Sequence, residues 1–166
     1  MADPMSGDAA AQVTVALATG ARAKTKVCRD VLEALPDWFG RDEANRWYGE
    51  QAGRLPSFVA RAGGAAVGFV TVKAHPPAAA EVLVMGVLPA WHGRGAGRAL
   101  IAAAAAHAAQ SGARYLTVKT LGEAHPSPHF KATRAFYRAA GFLPLEEFED
   151  FFGKGLPCLF LVKALT

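Results

Sequence analysis

Residues 81–98 of the 166-residue chain read EVLVMGVLPAWHGRGAGR and give the strongest indication of its fold. The first part of this stretch, residues 81–88, is almost entirely apolar, which is typical of a buried strand. Gly86 inside it indicates a bulge or a close backbone approach. An alanine-rich segment follows and predicts a helix that runs to about Ser111, where Gly112 ends it. The stretch therefore predicts a strand, a glycine-rich loop and a helix, in that order.

The loop of this stretch carries Gly93, Gly95 and Gly97. Glycine adopts positive φ easily, so consecutive backbone N–H groups can point at one anion. The helix behind the loop adds its free N–H groups and the positive end of its dipole. Arg94 and Arg98 can add charge-assisted hydrogen bonds. The loop predicts a phosphate-binding site, and a glycine-rich turn without a ligand is the alternative.

Two common nucleotide motifs do not fit the loop. The dinucleotide fingerprint G-x-G-x-x-G fails, because its third glycine falls on Arg98 when counted from Gly93 and on Leu100 when counted from Gly95. The P-loop fails because no Gly-Lys-Ser/Thr follows. A nucleotide-binding α/β protein therefore stays only as a weaker hypothesis.

Short strands and helices extend outward from this stretch in both directions. The predicted strands are 12–18, 57–62, 67–73, 81–88, 115–120, 142–149 and 157–163, and the predicted helices are 21–35, 41–51, 99–111 and 131–140. The order β-α-α-β-β-β-α-β-α-β-β predicts an α/β fold built on a mixed sheet. We expect residues 1–11 to form a flexible tail and residues 12–166 to form a single domain.

The composition argues against several classes of protein. Hydrophobic residues make up 52% of the chain and charged residues 19%, which argues against disorder. The longest apolar stretch, residues 99–106, is much shorter than the about 20 residues that a transmembrane helix takes. The first residues lack the pattern of a secretory signal. Cys28 and Cys158 show neither a metal-ligand spacing nor a disulfide pattern. We therefore expect a cytoplasmic protein with no membrane partner and no metal.

The net charge of +4 favours an anionic partner. The basic residues are scattered along the chain, whereas a nucleic-acid duplex is bound by a basic stripe. A phosphorylated small molecule fits this pattern better, and we expect no nucleic-acid partner.

The glycine loop resembles motif A of the GNAT superfamily, the acyl-CoA-dependent N-acyltransferases. The family pattern is Gln/Arg-x-x-Gly-x-Gly/Ala after a strand that ends in Val-x-Pro. This chain has Val87-Leu88-Pro89 and then His92-Gly93-Arg94-Gly95-Ala96-Gly97, with His92 where Gln or Arg is usual. The resemblance implies a GNAT-like mixed, mostly antiparallel sheet flanked by helices.

Two further segments carry the resemblance. Residues 136–142 read FYRAAGF and are similar to the family's Tyr-x-x-x-Gly-Phe near the C-terminus. Glu81 and Val82 match the start of the family's fourth strand. Phe130 stands where many members have an Asn that contacts the cofactor. The likeness covers about residues 12–165.

The resemblance implies an N-acetyltransferase that moves an acetyl group from acetyl-CoA to a primary amine, by direct attack through a tetrahedral intermediate. The pyrophosphate of acetyl-CoA would lie on the loop and its pantetheine arm along the strand. The implied contacts are Met85, Gly86, Val87, His92, Gly93, Arg94, Gly95, Ala96, Gly97 and Arg98. N–H groups of that strand could also stabilise the oxyanion of the intermediate. A non-catalytic acyl-CoA-binding sensor or regulatory domain is the alternative.

Acetyl transfer to an amine needs one group that accepts a proton and one that donates a proton. Glu81 matches the base position of some family members, although a solvated carboxylate at a strand end is an equal interpretation. His75, His125 and His129 are rival bases on loops. Tyr137 matches the family's general acid, because its phenol can donate a proton to the departing thiolate.

Four aromatic residues surround the first two predicted helices, a region that often shapes the acceptor pocket in similar proteins. They are Trp38, Phe39, Trp47 and Tyr48. Packing in the core or at an interface is the other interpretation of these side chains. The acceptor amine, small molecule or peptide, stays open, and a homodimer is compatible with the resemblance.

Overall fold

The computed structural model describes residues 12–166, and the tail predicted at residues 1–11 lies outside them. Its elements are β1 (Val13–Leu17), α1 (Ala21–Glu33), α2 (Asp42–Arg54), β2 (Ser57–Ala62), β3 (Ala65–His75), β4 (Ala79–Val87), α3 (Ala96–Gln110), β5 (Tyr115–Leu121), α4 (Pro128–Ala139), β6 (Leu143–Phe148) and β7 (Cys158–Ala164). A 3-10 turn at Pro89–Trp91 precedes α3. The predicted order of strands and helices is confirmed.

The seven strands form one sheet in the order β1-β2-β3-β4-β5-β7-β6. All neighbouring strands run antiparallel except β4 and β5, which run parallel. The prediction of a mixed, mostly antiparallel sheet flanked by helices is therefore confirmed.

Helices cover the sheet on both faces and create two apolar clusters. The larger cluster packs α3 and α4 against one face and includes Leu100, Tyr137 and Val70. The smaller cluster packs α1 and part of α2 against the other face and includes Leu32 and Phe69. Phe69 and Val70 are neighbours in β3, and successive side chains of a strand point to opposite faces. The two clusters therefore lie on opposite sides of the sheet.

The buried face of α1 follows from its sequence. Cys28, Val31 and Leu32 are buried at helical spacing and form the stripe that meets the sheet, and the buried Leu35 continues it just past the end of α1. In α3 the stripe is built mainly from alanines, and small side chains let a helix lie close to the strands beneath it. No helix among residues 12–166 is long and apolar enough to cross a membrane.

Two local predictions need correction. His75 lies at the end of β3, not in the turn after it, because β3 extends beyond the predicted boundary. The irregularity of β4 lies at Leu83, where the register with β3 shifts, and not at Gly86. A Cβ at Gly86 would lie 2.9 Å from Leu35 Cδ1 and 3.0 Å from Val31 Cγ1. Gly86 therefore makes room for side chains of α1.

The pH dependence of stability tests whether the Cys28 thiol is buried in this core. Burial raises the pKa of the Cys28 thiol to about 12, whereas an unfolded thiol has a pKa of about 8.5. Between these values the unfolded state binds fewer protons than the folded state, so stability falls as pH rises. We expect the titration of Cys28 alone to lower the free energy of unfolding, measured in urea, by about 1–2 kcal/mol between pH 8 and pH 10.

Cys28→Ala removes this titration and serves as the comparison. The variant is less stable at pH 8, because the thiol fills space in the core. Its stability should nevertheless fall less steeply with pH than that of the wild type. Equal slopes for the two proteins would contradict the assignment.

Candidate functional site

The site is built around a split between β4 and β5. The two strands pair only over residues 79–82 and 115–118, and they separate beyond that. In the adjoining β3–β4 ladder, Leu88 N donates to Val67 O at 2.8 Å. Bonded and non-bonded pairs alternate along an antiparallel ladder, so the backbone groups of Met85 and Val87 point away from β3. They line the open side of β4.

Gly86 behaves differently from its two neighbours. It is paired with Phe69, and the same alternation directs its N–H and C=O groups into β3. Among the three strand residues predicted to contact a cofactor, Met85 and Val87 present backbone groups to the split, while Gly86 serves the packing of α1.

Side chains cap a carbonyl on each side of the split. On β4, the Nε2 atom of His92 lies 2.6 Å from Val87 O. On β5, Leu121 O accepts a hydrogen bond from Arg134 Nη1 at 2.9 Å, and the same atom donates to Gly122 O at 3.1 Å. Arg134 is only 5% exposed. These contacts satisfy backbone groups that would otherwise be left unpaired at the split.

Arg134 was not among the residues that the sequence singled out. The available signal was its position three residues before Tyr137, which places both on one face of the predicted helix. A charged side chain on a face that carries a buried aromatic residue points to a buried polar contact. Nothing in the sequence showed that its partners are main-chain carbonyls.

The glycine loop leads directly into the N-terminus of α3. Gly93 and Gly95 have φ of 71° and 90° and have open space where a Cβ would lie. Gly95 is the N-cap residue, and no side chain caps the helix. The N–H groups of the first turn are therefore free to bind an anion. Gly97 has another role, because a Cβ there would lie 3.0 Å from Phe136 Cζ.

The two arginines of the loop are both exposed. The guanidinium carbon of Arg94 lies 4.3 Å from the centre of the Trp91 ring, a cation–π contact that orients the side chain. Neither Arg94 nor Arg98 forms a salt bridge with a residue in the described part of the chain. Both arginines are available to an anionic ligand.

Tyr137 lies on α4 and is 6% exposed. Its ring packs edge-on against Phe142, with centroids 5.5 Å apart, and against Phe136 at 5.3 Å. Burial raises the pKa of the Tyr137 phenol above its usual value. The phenol therefore keeps its proton throughout the physiological pH range, which suits a hydrogen-bond or proton donor.

Glu81 lies on β4 immediately before the split and is 6% exposed. Its Oε2 atom is 2.6 Å from His75 Nε2, and its Oε1 atom accepts a hydrogen bond from Lys119 Nζ at 2.9 Å. The interpretation of Glu81 as a solvated strand-end charge is therefore wrong. Burial, and next the charge of Glu81, raise the pKa of Tyr48 of α2.

Of the three rival histidines, His75 is the one in contact with Glu81. His129 lies 3.6 Å from a carboxylate oxygen of Asp37, and Nδ1 of His125 accepts a hydrogen bond from the Ser127 N–H at 3.3 Å. No group of three or more His, Cys, Asp or Glu side chains that could hold a metal ion occurs among residues 12–166.

The four aromatic residues in and around α1 and α2 differ in what they contact. Trp38 spans the split, because its Nε1 atom donates to Thr133 Oγ1 of α4 at 3.0 Å while its ring lies 5.7 Å from that of His92. Phe39 and Tyr48 pack at the edge of the smaller cluster. Trp47 is 47% exposed. The predicted aromatic region therefore borders the split through Trp38.

Comparison with known proteins identifies the class to which this site belongs. A sequence profile described as the acetyltransferase (GNAT) domain matches residues 54–144, more than half of the chain. The match includes β4, the glycine loop, α3 and α4. The chain therefore belongs to the GNAT acetyltransferases, and the resemblance seen in the sequence is confirmed. No curated protein matches the chain.

Solved structures confirm the fold. A protein from Desulfovibrio desulfuricans that is assigned to the GNAT family has a TM-score of 0.81 at 19% identity, over 93% of this chain and 100% of that one. A GNAT acetyltransferase from Elizabethkingia anophelis, solved with acetyl-CoA bound, has a TM-score of 0.72 at 15% identity, over 92% and 98% of the chains. The ribosomal-protein-S18-alanine N-acetyltransferase of Escherichia coli gives 0.73 at 14% identity, over 93% and 95%.

The buried guanidinium predicts a measurable contribution to stability. Arg134→Met should lower the free energy of unfolding by about 2–3 kcal/mol, because it leaves two carbonyls without a charged donor. Urea unfolding followed by circular dichroism measures this. Arg138→Met is the matched control, since Arg138 pairs with Glu123 at the surface, and it should change stability by less than about 0.5 kcal/mol. If Arg134→Met and Arg138→Met lower the free energy of unfolding equally, the buried contacts of Arg134 have no specific role in stability.

Proposed function

We propose that the protein transfers the acetyl group of acetyl-CoA to a primary amine, small molecule or peptide, by direct attack of the amine on the thioester. The observation that carries this proposal is the split between β4 and β5, which leads to the uncapped N-terminus of α3. A family member of the same fold was solved with acetyl-CoA bound. That structure supports the choice of acyl donor.

In this proposal the pyrophosphate of acetyl-CoA lies at the N-terminus of α3. The free N–H groups that follow Gly95 meet the phosphate oxygens, and Arg94 and Arg98 add charge. The amide groups of the pantetheine arm pair with the backbone of β4 as an added strand would. Because His92 already binds Val87 O, the backbone of Met85 supplies the open pair of groups.

In this proposal the acceptor amine and the proton donor Tyr137 lie on opposite faces of the sheet. Ala80 and Val82 belong to the larger cluster beside α3 and α4, so Glu81 points to the face of α1 and α2. We place the acceptor amine on that face, bordered by Trp38 and Tyr48. Tyr137, on the α4 side, donates to the thiolate as the C–S bond breaks.

The amine has to lose a proton before it can attack. An alkylamine with a pKa near 10.4 is only about 0.04% neutral at pH 7, so deprotonation is worth about 4–5 kcal/mol. The buried Glu81 carboxylate and the His75 ring that contacts it lie beside the start of the split, and they are the groups that direct this proton away from the amine. The N–H groups of β4 that face the split can stabilise the negative charge on the tetrahedral oxygen.

A thiol-release assay tests the proposal directly. We expect acetyl-CoA and the purified protein to release free CoA in the presence of at least one pool of primary amines, and not in a blank without amine. Tight binding of acetyl-CoA without turnover in any pool would favour an acyl-CoA sensor. The absence of both turnover and binding would contradict the assignment of the split as the acyl-CoA site.

Tyr137→Phe tests the proton donor. The variant keeps the ring that packs against Phe136 and Phe142 but loses the hydroxyl group. We expect kcat to fall by about 10²-fold, a typical share for a general acid, while calorimetry shows little change in acetyl-CoA binding. Tyr115→Phe, at a tyrosine that is 42% exposed, is the control. Unchanged activity in Tyr137→Phe would remove Tyr137 from the mechanism.

A further inference from the structure

The contacts of Glu81 make it poorly suited to take the proton itself. Oε2 lies 2.6 Å from His75 Nε2, and Oε1 lies 2.9 Å from Lys119 Nζ. The side chain of Glu81 is only 8% exposed. Protonation of the carboxylate would weaken a charge-assisted bond to one of these two groups in a buried place, where such a loss is costly.

His75 is arranged as a proton acceptor. An imidazole that donates from one ring nitrogen to a carboxylate has its other nitrogen free to accept. With Nε2 directed at Glu81, that acceptor is Nδ1. The side chain of His75 is 44% exposed, so Nδ1 can pass a proton on to water. The exposed ring therefore provides a proton outlet to solvent beside the buried carboxylate, on the α1 and α2 side of the sheet.

Lys119 holds the carboxylate from the other side. It reaches Glu81 from β5, and its Nζ atom also lies 5.7 Å from the centre of the Phe160 ring. Lys73, opposite Glu81 in the β3–β4 register, and Tyr48 of α2 are the other titratable groups nearby. With Oε1 fixed by Lys119, Oε2 is left to orient the His75 ring.

We propose that His75 is the catalytic residue that accepts the proton of the attacking amine, and that Glu81 is a positioning residue held by Lys119. The inference rests on the proposed acetyl transfer. The amine lone pair forms the N–C bond while the C–S bond breaks. His75 lies opposite Ala79, on the far side of Glu81 from the split, so the amine proton passes to His75 Nδ1 through intervening water and then to solvent. The thiolate receives its proton from Tyr137.

The first experiment compares variants of the two residues. His75→Gln should lower kcat by about 10²-fold with little change in the KM for acetyl-CoA. In a Lys119→Met background, where no ammonium group competes for the amide oxygen, Glu81→Gln can accept the His75 Nε2–H bond, so it should retain activity within about tenfold of Lys119→Met alone. Glu81→Leu removes the acceptor and should lose as much as His75→Gln. His107→Gln, at a histidine of α3 that packs against Phe58, is the control and should leave kcat unchanged.

The second experiment adds imidazole to His75→Ala. Because this side chain is nearly half exposed, free imidazole can enter its place, and we expect it to restore part of kcat in a saturable way. It should have no such effect on the wild type or on Glu81→Leu. A structural role for His75 would not produce this rescue. Melting curves of each variant confirm that the comparison is made on folded protein.

The opposite pattern would overturn the inference. If Glu81→Gln in the Lys119→Met background and Glu81→Leu are equally inactive while His75→Gln keeps wild-type kcat, Glu81 itself is the base. Failure of imidazole to restore a folded His75→Ala variant also counts against His75. If the wild type acetylates no amine, the proposed function fails, and this inference falls with it. The wild-type assay therefore separates the two failures.

Discussion

The structure depends on one constraint, the short parallel pairing of β4 with β5. The two strands share a register over only four residues on each side, and everything that concerns the site follows from their separation. If β4 and β5 paired along their whole length, the backbone groups of β4 would all be hydrogen-bonded within the sheet. Since the strands diverge, Met85 and Val87 present theirs to a gap that opens beside the N-terminus of α3. The split is thus an open slot in the sheet that leads to the uncapped N-terminus of α3.

An open split in a sheet would be unstable without compensation, because unpaired main-chain groups cost free energy when they are buried. The chain supplies that compensation with side chains from outside the sheet. His92 caps Val87 O, and Arg134 caps Leu121 O. Trp38, in the segment between α1 and α2, donates to Thr133 of α4 and so joins the two sides. The residues that satisfy the open ends of the two strands therefore border the site.

The strands, the helices and the glycine-rich turn before α3 follow from local patterns in the sequence. Alternation and apolar runs placed the strands, the glycine and proline positions ended the helices, and the spacing of Gly93 and Gly95 before a helix predicts a phosphate site. These are local properties, set by backbone sterics and by hydrophobic periodicity over a few residues. The family motifs are also contiguous stretches of chain. For this reason the fold class and the family could be predicted from the sequence, and both were confirmed.

Contacts between distant side chains became visible in the folded chain alone. Glu81, His75 and Lys119 come from three strands, and their contacts depend on the β3–β4–β5 register, which a sequence without partners does not specify. In the sequence, Gly86 and Gly97 resembled turn or bulge residues, yet their missing Cβ atoms make room for Leu35, just after α1, and for Phe136 of α4. Arg134 is buried because its hydrogen-bond acceptors are carbonyls of β5 and the residue after it. Burial, register and close packing are properties of the assembled sheet and helices, so no local pattern could reveal them.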